Sequence, residues 1–558
     1  MPANYAVEMR FNVKTPMRDG VALSSDLYLP QAEGPFPTVL MRTPYDNNTP
    51  AMIEKGRRLA NAGYACVIQD CRGRWDSDGD YYPFKEGEDG YDTQEWIGRQ
   101  PWSNGKIGMA GGSYVGLVQW QSAPYRSPSL TCLAPRVICC DFFSGLVYPG
   151  GAFQLNVLMT WGMRTNGRTA QSIDFHNWTE AFRALPVQSM DELAGRELGF
   201  WQDWVSHPAY DAYWENFNDE PRWGEIAVPA FNMGGWYDLY APHTFVNFNG
   251  LRQHGRTAQA RQSKLIVGPW PHALSTSPRT GDIDFGAPSM VDLEALELRW
   301  FDYWLKGIDN GIVNEPPLRL FIMGVNQWRD EHEWPLARTD WQKWYLHSGG
   351  HAATLRGDGG LSPNAPSAEP EDTFVYDPLY PVQTMGGNNC CSPHIVPWGP
   401  YDQRGVEMRP DVLCYTSEPM PTDLEVTGPI QMVLYATTDG LDTDWTAKLV
   451  DVSPTGYAKN LCDGIIRARY RESLSQPTLL TPNQIYEYRI EVGVTGNVFR
   501  QGHRIRLEIS SSNFPRFDRN PNTGHEFGVD SELRPAHQTI YHTQAYPSHI
   551  LLPVIPAV

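Results

Sequence analysis

The chain has 558 residues, more than one hydrophobic core can organise, so two or three domains are expected. Its 64 acidic against 45 basic side chains give a formal charge of −19 without any lysine or arginine cluster, which argues against a nucleic-acid or anionic-membrane partner. No apolar run is long enough to span a bilayer, and the first ten residues have no apolar signal core, so a cytoplasmic location is the expectation.

From the N-terminus, residues 8–14 and 21–29 read as strands around a turn at Arg18, Asp19 and Gly20, an opening hairpin. Residues 38–42 and 66–69 are buried-strand runs separated by a helical stretch over 53–62, and such alternation predicts a parallel α/β sheet. A short helix over 92–99 leads to K-I-G-M-A-G-G-S-Y-V-G-L-V-Q-W at 106–120, an apolar strand running into a glycine-flanked serine and then a helix. A turn of this kind exposes the Ser113 hydroxyl at the top of a sheet, as a nucleophile requires, while Gly111 and Gly116 leave room where the two backbones approach. The helix start aims its N–H groups at the reacting centre, which makes the Tyr114 N–H a candidate oxyanion donor. Gly-Gly-Ser also describes an ordinary loop, so the motif gains meaning only from partners elsewhere.

A strand is predicted over 131–137. From 142 to about 218 the pattern turns to helix-like stretches rich in tryptophan with no strand signal, an insertion where a lid over a site belongs. The sheet resumes at Val228, and the run 228–234 ends in G-W-Y-D, placing Asp238 at a strand mouth. The run 264–268 repeats the pattern and delivers His272. Serine, aspartate and histidine in this order, each after a strand, fit a hydrolase triad: His272 takes the Ser113 proton and returns it to the leaving group, while Asp238 fixes the imidazole tautomer. His243 is the rival base, although it lies on the acid's own loop. A helix over 291–305 closes the domain. Beyond Ser348 a Gly/Pro/Ser-rich stretch, 351–370, precedes short β-type runs, clearest at 424–436, 447–452, 485–492 and 504–510. Asp70 with Arg72 reads as an ion pair bracing a loop, and Asp444 with Lys448 as a sheet contact.

The nine cysteines include two adjacent pairs, Cys139-Cys140 and Cys390-Cys391, and no C-x-x-C. Adjacent cysteines rarely bridge each other, so a reduced interior without structural metal is expected. Fourteen scattered histidines include no H-E-x-x-H, so neither a catalytic metal nor another cofactor is expected.

The motifs P-M-R-D-G at 16–20, R-T-P-Y-D at 42–46, I-Q-D-C-R-G at 68–73, the elbow at 111–116, G-W-Y-D at 235–238 and G-P-W-P-H at 268–272 resemble the cocaine-esterase-like serine hydrolases. These are relatives of X-prolyl dipeptidyl peptidases and α-amino-acid ester hydrolases. The resemblance continues through T-D-W-T-A-K-L-V-D-V at 443–452, L-C-D-G-I at 461–465 and S-S-S-N-F-P at 510–515. It implies an α/β-hydrolase domain over 1–141 and 222–348, a helical cap over 142–221 and a C-terminal jelly-roll-like β-sandwich over 349–558. It assigns the same nucleophile, acid and base, and adds the Tyr45 hydroxyl to the oxyanion hole beside the Tyr114 N–H.

The resemblance further implies an aromatic acyl pocket, with Trp161 and Tyr240 at matching positions; core packing is an equal reading of both residues. At 386–391 the family's namesake carries apolar residues that line the pocket. Asn389, Cys390 and Cys391 stand there instead, so a smaller, more polar wall is expected and cocaine is not the expected substrate. No carboxylate adjoins Asp238 to hold a substrate ammonium. The expected activity is therefore hydrolysis of carboxylic esters with aryl or other bulky acyl groups. An amide or peptide hydrolase of the same family is the alternative, and a non-catalytic binding protein is disfavoured because all three catalytic residue types are present. Partners reduce to a small-molecule ester substrate, with a homodimer left open.

Overall fold

The computed structural model describes residues 4–174 and 176–556. It opens on an antiparallel hairpin, β1 (Val7–Pro16) and β2 (Ala22–Pro30). Strands β3 (Phe36–Thr43), β4 (Ala65–Asp70), β5 (Ser103–Gly112), β6 (Leu130–Arg136), β7 (Phe231–Gly235), β8 (Lys264–Gly268), β9 (Leu318–Ile322) and β10 (Gln327–Glu331) complete a sheet in the order β1-β2-β4-β3-β5-β6-β7-β8-β9-β10. Neighbours from β4 to β9 run parallel, and the two ends are antiparallel. All of β4, A-C-V-I-Q-D, is buried, as befits a strand covered on both faces. Among the covering helices, α1 (Pro50–Asn61) starts where the Thr49 hydroxyl caps the Met52 N–H and proline fills the first turn. The helix Leu293–Lys306 ends on Gly307 at φ 72°, the left-handed position that glycine occupies without steric cost.

The tryptophan-rich insertion leaves and rejoins the sheet at one point. Asp141 and Asn218 form an antiparallel bridge, the Phe142 N–H donates to Phe217 O at 3.2 Å and the Asp219 N–H to Cys140 O at 2.9 Å. Its longest helix, α2 (Leu155–Thr165), is joined by short helical turns around the buried indoles of Trp201, Trp204 and Trp214.

The C-terminal third is an antiparallel β-sandwich whose one parallel contact among the described strands joins Gly360 to Thr416. Its longest strands, Leu424–Thr438 and Tyr486–Phe499, pair along their whole length. The sandwich is bonded directly to the first sheet: the Met323 N–H, just past β9, donates to Gly496 O at 2.8 Å, and the Val498 N–H to Met323 O at 2.9 Å. No helix among the described residues is long and apolar enough to cross a membrane.

Of the two expected charge contacts, the first is absent and the second is found. Asp70 and Arg72 do not pair: Arg72 binds Asp89 at 2.6 Å and Asp19 at 2.7 Å. Asp70 instead accepts the Asn47 N–H at 2.8 Å, and burial pushes its carboxyl up to about 7. Asp444 and Lys448 lie on one strand of the sandwich, where they bind Arg467 and Glu508, each at 2.9 Å.

Gly111 lies at φ 131°, and a Cβ there would overlap the Val115 side chain. Gly111→Ala is expected to lower stability by about 1–3 kcal/mol, read as a lower urea midpoint. An unchanged midpoint would contradict the steric account.

Candidate active site

Ser113 is the residue between β5 and the helix Tyr114–Ser122, and it sits at φ 56° and ψ −129°. A side chain held there costs about 1–3 kcal/mol, so its surroundings must fix it. They do so through the backbone: the Ser113 N–H donates to Arg136 O at 2.9 Å, and Ser113 O accepts from Gly116 N at 2.8 Å and Leu117 N at 2.9 Å. Tyr114 begins the helix, where an N–H has no intrahelical acceptor and is free to meet an anion.

Asp238 and His272 follow β7 and β8, the neighbouring parallel strands of the same sheet. Their two loops are bonded together: the Trp236 N–H donates to Gly268 O at 2.9 Å and the Tyr237 N–H to Trp270 O at 3.0 Å. The pair that results is short, with His272 Nδ1 2.7 Å from Asp238 Oδ1. Asp238 is fully buried, and its second oxygen accepts the Tyr240 N–H at 3.2 Å. His243 points elsewhere, with Nδ1 3.8 Å from Glu220 Oε1, so the acid's imidazole partner is His272.

Tyr45 reaches the site from the loop after β3. Its hydroxyl oxygen accepts the Trp161 indole N–H at 2.9 Å, which leaves the phenolic proton for another acceptor. Burial raises its pKa, with the Trp161 and Ser113 contacts opposing that rise, so the proton is retained at neutral pH. The Tyr114 phenol turns away from this function. It donates to Glu86 Oε1 at 2.8 Å and accepts the Phe84 N–H at 3.0 Å, while Glu86 pairs with the fully buried Arg42 at 2.9 Å.

Between these groups lies a small pocket. Ser113, Tyr45 and Tyr114 form its polar end, Val157, Leu158 and Trp161 of the insertion its roof, and Tyr240, Cys390 and Cys391 one wall. Phe84 lies beneath, stacked on Phe142 with centroids 4.4 Å apart and on Trp161 at 5.6 Å. No lining residue carries a formal charge.

The segment 386–391 departs from expectation twice. Asn389 does not line the cavity; its amide donates to Gly386 O at 2.8 Å and Pro397 O at 3.0 Å, bracing its own loop. Cys390 and Cys391, expected to stay reduced, are joined by a disulfide, and both line the cavity. The wall is consequently sulfur-lined and less polar than the composition implied. Cys390, Cys391 and His272 are also the group of described residues that could hold a metal, their ligand atoms lying within 4.8 Å of one another.

Asn388, passed over in the sequence, proves structurally central. Its amide donates to Trp236 O at 2.8 Å and Asp238 O at 2.9 Å, tying the sandwich domain to the acid's loop. Only its position in the G-G-N-N stretch beside the cysteine pair could have drawn notice, because its partners are 150 or more residues away.

A mostly parallel sheet presenting a serine on such an elbow is an α/β-hydrolase, and the protein falls in the class of serine hydrolases. Residues 19–274 match the family described as X-Pro dipeptidyl-peptidase (S15 family), and residues 310–551 match the X-Pro dipeptidyl-peptidase C-terminal non-catalytic domain. The chain is 38% identical to the cocaine esterase of Rhodococcus sp. (strain MB1 Bresler), over 99% of both chains. An α-amino acid ester hydrolase structure is similar with a TM-score of 0.84 and 27% identity, covering 99% of this chain and 97% of that one. An aminopeptidase from the marine sediment archaeon Thaumarchaeota archaeon is similar with a TM-score of 0.86 and 26% identity, at the same coverage. The chain belongs to the cocaine-esterase branch of the S15 family, and it is a carboxylic ester hydrolase.

Removing the Asn388 amide leaves the Trp236 carbonyl unpaired, a cost of about 1–3 kcal/mol, and leaves the Asp238 carbonyl only the Ala241 N–H at 3.1 Å. Asn388→Ala is therefore expected to lower kcat by about 10-fold or more with a smaller change in KM. An unaltered kcat would show that the acid's loop holds its place without the sandwich domain.

Proposed function

We propose that the protein hydrolyses esters of neutral aryl or other bulky acyl groups through an acyl-enzyme on Ser113. His272 removes the Ser113 proton as the oxygen attacks the carbonyl carbon, and returns it to the departing alkoxide. Water then repeats the sequence on the acyl-enzyme. Asp238 holds the imidazole tautomer and stabilises the imidazolium. The Tyr45 hydroxyl and the Tyr114 N–H receive the oxyanion. The observation that carries this reading is the 2.7 Å bond between His272 and the buried Asp238, at the same C-terminal end of the parallel strands as the strained serine.

Substrate class follows from the cavity. Its uncharged lining of aromatic and aliphatic side chains favours an acyl group that stacks and sheds water, and offers no carboxylate to an ammonium. That favours an ester over an amino-terminal peptide, and ester leaving groups also need less help from a general acid. The cocaine substrate of the Rhodococcus relative is not carried over, because the wall at Cys390 and Cys391 differs in kind. In domain terms, we assign 1–141 and 222–348 to catalysis, 142–221 to the lid and 349–558 to the wall and the brace of the acid's loop.

Turnover of p-nitrophenyl and aryl esters, measured against matched amides, is expected to favour esters and to vanish in Ser113→Ala. A fluorophosphonate should label Ser113 stoichiometrically, and folded protein that stays unlabelled would overturn the assignment. Tyr45→Phe should cost about 10²-fold or more in kcat, and near-normal turnover would remove Tyr45 from the mechanism. His272→Ala should abolish turnover, whereas an abolished His243→Ala with an active His272→Ala would reverse the choice of base.

A further inference from the structure

The proposed chemistry uses neither sulfur of the Cys390–Cys391 pair, yet both line the cavity and both lie within 4.8 Å of a ring nitrogen of His272. We propose that in its dithiol form this pair joins His272 to make a binding site for a thiophilic divalent cation of the zinc class, and that occupation arrests ester hydrolysis. The disulfide form lacks the site. The inference rests on His272 being the general base.

The ligand set fits that class of ion. Two thiolates and one imidazole are the soft and borderline donors that zinc and cadmium prefer, and three protein ligands leave a fourth position for water. Asp238 occupies Nδ1 at 2.7 Å, so Nε2 is the nitrogen left to ligate. A histidine that binds a metal through one nitrogen while a carboxylate holds the other is the arrangement that fixes ring orientation and raises ligand basicity. Charge also balances: two thiolates cancel a divalent cation, so the uncharged cavity receives a neutral unit.

The donors are mounted rigidly. The Arg164 guanidinium donates to Cys391 O and to the Ser392 hydroxyl, each at 3.3 Å, and the Ser392 N–H donates to Cys390 O at 2.9 Å. Asn389 closes the same loop from the other side. The sulfurs are therefore presented to His272 by a loop that is already folded, which limits the ordering cost of binding.

The steps balance. A dithiol reductant transfers two electrons and two protons to the Cys390–Cys391 bond, which breaks into two thiols while the reductant closes its own disulfide. The cation then displaces one proton from each thiol and takes the Nε2 lone pair. That lone pair is the one needed to accept the Ser113 proton, so hydrolysis stops until the cation leaves or a chelator removes it.

The test uses the full chain, one sample reduced with an excess of dithiol reductant and desalted under argon, the other left oxidised, each titrated with zinc and, separately, cadmium. The reduced enzyme is expected to lose at least about 10-fold in ester turnover with zinc, to recover with chelator, and to show the ultraviolet charge-transfer band of a cadmium–thiolate. The oxidised enzyme should show no band and no thiol-dependent loss. Cys390→Ser and Cys391→Ser, each compared with its own metal-free rate, should need at least about 10-fold more zinc for half-inhibition. The seven other cysteines are buried and unbridged, so a band that survives in both serine variants would overturn the site. Equal zinc sensitivity of reduced and oxidised enzyme would overturn it as well. A band at unchanged turnover would overturn the claimed arrest of hydrolysis. The metal-free turnover of His272→Ala reports separately on whether the base itself is correctly assigned.

Discussion

Two backbone hydrogen bonds, from the Trp236 N–H to Gly268 O and from the Tyr237 N–H to Trp270 O, govern the rest of the site. They join the loops after two adjacent parallel strands before any side chain is considered, and so fix how far Asp238 stands from His272. A fully buried carboxylate is costly without hydrogen bonds and a cation or donor within reach. Asp238 meets that requirement with one imidazole and one backbone N–H. The close approach explains the glycines: a Cβ at Gly235 would overlap the Trp270 carbonyl, and one at Gly268 would overlap the Trp270 ring. Small residues at these strand ends are thus the condition for a side-chain contact several positions further on.

The same loop is held from behind by the sandwich domain. The Tyr237 hydroxyl donates to Asn460 O at 3.2 Å and Asn388 clasps the carbonyls of Trp236 and Asp238, while the Trp236 indole donates to Phe321 O of β9 in the first sheet at 2.7 Å. One apolar core runs without a break from Trp236, Phe245 and Phe321 into Trp445, Leu461 and Val492. The C-terminal third is therefore a structural support of the acid rather than an appended module, and it also supplies the sulfur wall of the cavity. Disturbing the sandwich should reach the acid's loop through rigid contacts, with no large motion required.

Much of this was legible in the sequence because it is local. The hairpin, the sheet strands and the serine elbow announce themselves through apolar runs bounded by glycine. The long strands Leu424–Thr438 and Arg504–Ser510 follow their β-type runs closely. The order of Ser113, Asp238 and His272 could be read because each stands just after its own strand. Contacts between distant segments could not be read. Asn388 looks like any loop amide until the fold brings it to Asp238, and the indole of Trp161 reads as pocket lining until its N–H is seen on Tyr45, 116 residues earlier in the chain. Arg72 chose Asp89 and Asp19 over its neighbour Asp70 because adjacency in sequence says little about which face of a loop a side chain takes. Asn389 likewise turns to its own loop and away from the cavity, and spacing alone does not reveal the bridge between Cys390 and Cys391.

The neck of the insertion, where Asp141 meets Asn218, makes the lid an exchangeable cassette. Its entry and exit strands touch, so an alternative segment can be spliced at that point without altering the spacing of any sheet strand. The segment so exchanged carries Val157, Leu158 and Trp161 of the pocket lining. Of these, Trp161 also fixes the Tyr45 hydroxyl. A lineage, or a designer, that exchanges this segment to reshape the pocket must therefore bring a replacement hydrogen-bond donor for the Tyr45 hydroxyl, since the pocket's shape and that hydrogen bond are inherited on the same stretch of chain.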